Sequence, residues 1–190
     1  ESNHREILSS VFRSQLPQIK KVEFNVETQS LGENGAPIMI TQSEYMRRMK
    51  EMANIQAGMS FYGEMPNMYN LVLNADHKLV KQVLTDADNS CKAALEPIES
   101  EMTSLNNRRK ELQKAQEGKK TEDIPQAEKD ELNDIEKKIS DETTKKQAVL
   151  GEYANGNKII HQLIDLALLQ NNMLKGEALT NFVKRSIELI

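Results

Sequence analysis

Apolar positions in the first seventeen residues fall at Ile7, Leu8, Val11, Phe12 and Leu16, which is helical spacing, and Pro17 ends the pattern. The period then drops to two. In "KKVEFNVETQSL" Val22, Phe24 and Val26 alternate with Glu23, Asn25 and Glu27, which predicts a strand with one buried face. "GENG" reads as a turn, and "APIMIT" as the antiparallel partner of that strand. A helix over residues 43–57 follows, entered at Thr41 or Ser43 and closed by Gly58, with Met46, Met49, Met52 and Ala53 on one face and charged residues between them. "YNLVLN" gives a third strand, with Tyr69, Leu71 and Leu73 on one side. "NADHKLVKQVL" opens a helix whose expected N-cap is Asp76, with a solvated His77 in its first turn.

From about Leu95 to Leu150 roughly half the residues are charged, with both signs mixed. Leu95, Ile98, Met102, Leu105 and Leu112 keep a 3-4 spacing with one gap at Arg109. Leu132, Ile135, Ile139 and Val149 repeat it, and "GKKTEDIPQ" separates the two runs. This predicts an antiparallel helical hairpin with a thin apolar seam, serving either as a partner-binding arm or as a solvated insertion. The last third is more apolar. Ile159, Ile160, Leu163, Ile164, Leu166, Ala167, Leu168 and Leu169 form an arc too wide for one small core. After Gly176, Leu179, Phe182, Val183, Ile187 and Ile190 form a single stripe. Two such helices in one chain predict burial between subunits. The organisation expected is one domain over 1–190: an α/β core at 1–94, the hairpin at 95–150, and association helices at 157–190.

Composition narrows the chemistry. Aromatic residues are only 4% of the chain and tryptophan is absent, so part of it must lie outside a core. A net charge of −4 gives no electrostatic footprint for nucleic acid or an acidic membrane. Cys91 stands alone, so no intrachain disulfide forms and a reducing compartment is expected. His4, His77 and His161 lie far apart and match no metal-ligand spacing, and no phosphate-binding loop or catalytic triad is recognisable. No catalytic residue, metal or cofactor is therefore expected in the chain. No apolar run reaches the length of a membrane span, and the opening residues lack a signal-peptide pattern, so an excised piece of a larger cytoplasmic protein is expected.

Six of the nine methionines lie between Glu44 and Met68. Thioether side chains repack easily around irregular shapes, so this stripe suits variable partners as well as a core. The candidate contact residues are Met46, Met49, Met52, Met59, Phe61, Tyr62 and Met65.

Taken in order, "MRRMKEM", "LVLNADHKLV", "IDLALLQNNMLKGEAL" and "NFVKRSIELI" resemble the C-terminal domain of the heat shock protein 90 family of chaperones, in its bacterial form. The resemblance implies an α+β fold with a small, mainly antiparallel three-stranded sheet, and homodimerisation through an intermolecular four-helix bundle built from the last two helices. It assigns Leu163, Leu166, Ala167, Leu169, Leu179, Phe182, Val183, Ile187 and Ile190 to that interface. It also implies that unfolded or partly folded client proteins meet the methionine face, and that ATP and magnesium bind an N-terminal domain absent from this chain. The long charged hairpin departs from the family, and the acidic tail of eukaryotic cytosolic members is absent at Ile190. The competing function is a coiled-coil scaffold whose hairpin binds a partner.

Overall fold

The computed structural model describes residues 2–53, 55 and 65–190. Helix α1 (Ser2–Ser14) leads into strands β1 (Val22–Gln29) and β2 (Ile38–Gln42), helix α2 (Glu44–Ala53) and strand β3 (Asn67–Asn74). Helices α3 (Lys78–Gln116), α4 (Gln126–Gly156), α5 (Lys158–Gln170) and α6 (Glu177–Glu188) complete the order, with a 3₁₀ turn at Thr121–Asp123. The class is α+β, as the sequence predicts.

The sheet differs from the expected hairpin. β3 lies between the other two strands, parallel to β1 and antiparallel to β2, so the sheet is mixed. Burial explains the order, because Leu71, Val72, Leu73 and Asn74 are all buried, and a strand covered on both faces belongs in the middle. Val26, Leu71 and Ile40 form one row across the sheet, and Leu73 pairs with Ile38 in the next. Against this face pack Ile7, Leu8, Val11 and Phe12 of α1, Val80, Val83, Ala87, Cys91 and Leu95 of α3, Leu150 and Ala154 of α4, and the inner face of α5.

The segment joining β1 to β2 wraps around the end of β3 instead of closing a two-strand turn. Fully buried Asn74 holds it: its side chain accepts from Leu31 N at 3.2 Å and donates to Gly32 O at 2.8 Å. Gly35 is required there, since a Cβ would fall 2.7 Å from Leu31 O and 2.9 Å from the Asn74 amide. Asp76 accepts from Ser30 Oγ and from Gly32 N at 2.9 Å, and the Ser30 hydrogen bond first, then that of Gly32, holds its carboxyl below the usual aspartate range. It is thereby unavailable to cap α3. His77 is the N-cap instead, its Nδ1 accepting from Leu79 N at 3.2 Å.

The hairpin forms, but its root lies elsewhere than residues 95 and 150. α3 runs unbroken from the core into the arm, a length of about 58 Å at 1.5 Å per residue over its 39 residues. Leu95 and Leu150 belong to the body's core. The arm has its own small cluster of Leu105, Leu112, Ile135 and Ile139. Arg108 grips Glu131 through two hydrogen bonds, Nε–Oε1 at 2.7 Å and Nη2–Oε2 at 3.1 Å, which fixes the register of the two helices. Gly118, at φ +78°, turns the chain out of α3.

Candidate interaction surfaces

α5 begins at a built cap. Asn157 Oδ1 accepts from Ile159 N at 2.9 Å and Ile160 N at 3.1 Å, and its amide donates to Tyr153 OH at 2.9 Å. Tyr153 OH in turn donates to Val83 O of α3, which ties the start of α5 to the body. Ile160, Leu163, Ile164, Ala167 and Leu168 then point into the core. Leu163 and Ala167, which the sequence offers as interface residues, are buried within the protomer because α5 must cover β2 and the α3–α4 root. Leu166 is half-buried and Leu169 exposed.

α6 lies antiparallel on α5 and is attached to it largely through polar groups. Lys158 Nζ meets Glu188 Oε2 at 2.7 Å, Gln162 Nε2 donates to Ser186 Oγ at 2.6 Å, and Arg185 Nε donates to Gln162 Oε1 at 3.1 Å. Arg185 also forms a part-buried ion pair with Asp165. The Lys158 ammonium, by hydrogen bond and charge, holds the Glu188 carboxyl below its ordinary range. Of the α6 stripe, Phe182 alone packs against the body's core. Leu179, Val183 and Ile187 are 37%, 49% and 71% exposed, and Leu189 and Ile190 are exposed as well. At about 100° per residue, Leu179, Val183 and Ile187 centre about 130° away from the edge bearing Phe182 and Arg185, more than a third of a turn. α6 thus spends its polar edge on its own protomer and turns its apolar stripe outward. The register of the Lys158, Gln162 and Asp165 contacts carries Leu166 and Leu169 toward the Leu179 end of that stripe.

The second surface is α2. Met46 and Met49 are half-buried, Met52 is 45% exposed, and Ala53 is buried. Glu44, Arg47, Arg48 and Glu51 form an ion-pair chain along the opposite side, which supports a helix short of tertiary contacts. Lys50 Nζ donates to Asn67 Oδ1 at 2.8 Å and joins α2 to the start of β3. Met65 is half-buried, whereas Met59, Phe61 and Tyr62, the helix end expected at residue 57 and its stop at Gly58 lie outside the described residues.

Sequence reasoning missed Tyr45 and Ile55, 68% and 83% exposed. Ile55 continues the three-residue spacing of Met46, Met49 and Met52 and was findable. The Asp165–Arg185 pair was not, because nothing local in either helix names a partner on the other.

Among the described residues no group of three His, Cys, Asp or Glu side chains is arranged to hold a metal, and no helix is long and apolar enough to cross a membrane. Burial, and then the neighbouring Asp88 charge, raises the Cys91 thiol above its ordinary range, which is the opposite of activation.

An α+β body that exposes one apolar helical stripe at its end and a methionine face beside its sheet defines the class. The chain is 67% identical over all 190 residues to chaperone protein HtpG of Bacteroides fragilis, and 65% identical to that of Bacteroides thetaiotaomicron. Over 188 residues, 98% of the chain, it is 44% identical to HtpG of Porphyromonas gingivalis. The matched stretch is the C-terminal part of these relatives, and the chain spans about 28% of their length. It belongs to the heat shock protein 90 family. No family model matches the chain, and no solved structure matches it.

Proposed function

We propose that this chain is the homodimerisation and client-contact module of an ATP-dependent, cytoplasmic bacterial chaperone that assists protein folding. The observation that carries the reading is α6, whose polar edge is satisfied by α5 while Leu179, Val183 and Ile187 face outward. A monomeric protein gains nothing by that arrangement, and a second copy covers it under two-fold symmetry as a four-helix bundle of α5 and α6. The methionine face of α2 is the client surface in this reading: unbranched thioethers accept many apolar shapes at modest affinity. Nucleotide binding and hydrolysis belong to the remainder of the longer protein, so no catalytic group or cofactor is assigned to these residues.

The test of client contact is Met49→Ser/Met52→Ser. Suppression of aggregation of an unfolded protein should weaken while the melting transition holds, because Met52 is nearly half exposed. Loss of more than about 3 kcal/mol of stability, the range of core truncation, returns the stripe to the core and removes the client surface. The arm's separate apolar cluster favours one second reading, a scaffold that works through the hairpin. Excising residues 99–146 and closing the gap with a Gly/Ser linker separates the two. The chaperone module keeps dimerisation, whereas the scaffold loses its partner.

A further inference from the structure

We infer that the arm swings at its root about Pro97, and that Lys146 is the lock that holds it in line with the body. Pro97 lies inside α3 between the body's last core residue on that helix, Leu95, and the arm's first, Leu105. It removes the hydrogen bond to the preceding turn in a stretch where the helix has one buried apolar residue, Ile98, which belongs to neither cluster. Beside it, between α1 and α3, lies a cleft of about 450 Å³ lined by Asn3, Ile7, Asp88, Lys92, Leu95 and Glu99, which leaves room for α3 to bend.

Lys146 closes this point from the other helix. It is 6% exposed, and its ammonium lies 3.1 Å from Glu6 Oε1 of α1 and 3.4 Å from Glu99 Oε1 of α3. One buried cation therefore ties three helices together, two residues along from the proline. Glu6 and Glu99 are 54% and 41% exposed, so either carboxylate can return to water if the lysine is lost. The lock also makes the arm answer to α1, because a displacement of α1 that carries Glu6 away releases one of the two carboxylates holding Lys146.

The measurement is the distance between spin labels at Glu23→Cys on β1 and Glu117→Cys at the arm tip, with the labelled chain diluted into unlabelled protein so that only distances within one protomer are read. The tip lies about 30 Å beyond Pro97, and a bend of about 20° there moves it by about 10 Å. The unaltered chain should give one narrow distance. Lys146→Met, which keeps the buried stem, should broaden or shift it by about that amount, and adding Pro97→Ala, which restores the helical hydrogen bond, should narrow it again. If Lys146→Met does not fold, Glu6→Gln/Glu99→Gln must produce the same broadening. A distance unchanged by these variants, one already broad in the unaltered chain, or one that Pro97→Ala fails to narrow overturns the inference.

Discussion

Leu150 and Leu112 sit on the two helices of one hairpin and are both buried, yet truncating them should have different consequences, global for the first and local for the second. Leu150 is fully buried in the body's core, with α1, α3 and α5 contributing to the same cluster, whereas Leu112 packs in the arm's cluster of Leu105, Ile135 and Ile139. A Leu→Ala change at a fully buried site costs about 3–5 kcal/mol, so Leu150→Ala should lower the main thermal transition by about 6–20 °C at about 2–4 °C per kcal/mol for a chain this size. Leu112→Ala removes the same atoms, but the loss falls on a segment that can open alone. The main transition should then move by less than about 2 °C, as for a surface substitution. Calorimetry at fixed protein concentration reads the first effect, and amide exchange reads the second as lost protection confined to residues 99–139. If Leu112→Ala lowered the main transition as far as Leu150→Ala, arm and body would be one cooperative unit and their separation here would be wrong.

The loop between β1 and β2 should loosen in acid. The Asp76 carboxyl is held below its ordinary range, so its contribution is present above that range and is lost as the pH falls through the depressed native value; exchange of the Gly32 amide should rise there, and an unchanged rate would remove Asp76 from the loop's support. Asn74→Ala leaves Leu31 N and Gly32 O without their partner and should cost about 1–3 kcal/mol in denaturant unfolding. Asp165→Asn weakens the part-buried pair that holds α6 to α5, so protection of the α6 amides should fall while the sheet's is kept. Equal loss in both would mean that α6 is integral to the core.

Much of this was legible because the relevant signals are local. Periodicity alone marked β1, β3, both arms of the hairpin and the outward stripe of α6. What escaped depends on contacts far apart in the chain. "GENG" carries turn chemistry, but Asn74, 42 residues on from Gly32, decides that it wraps β3 instead of joining two paired strands. Asp76 looks like an N-cap until Ser30 and Gly32 engage its carboxylate, whereupon His77 takes the role. Leu163 and Ala167 read as interface residues because the apolar arc of α5 is wide and periodicity does not say which part of it faces its own protomer. The hairpin's root reads as residues 95 and 150 because the charged composition begins and ends there, whereas Leu95 and Leu150 pack in the body's core.

In the proposed function the outward stripe of α6 meets a second copy of itself. Sedimentation equilibrium of the intact chain and of Val183→Asp/Ile187→Asp over a dilution series tests it most directly. Both positions are exposed in the protomer, so the fold is kept. Removing α6 instead would also strip Phe182 from the core. Burying the exposed part of Ile187 alone contributes about 1–2 kcal/mol per copy, or about 2–4 across a symmetric pair. Its loss, before the cost of two buried carboxylates, weakens association by roughly thirtyfold to a thousandfold. The intact chain should sediment as a dimer at tens of micromolar, where non-covalent pairs of micromolar or tighter affinity persist, and the variant as a folded monomer. A monomeric intact chain, or a variant that dimerises equally well, would contradict the account.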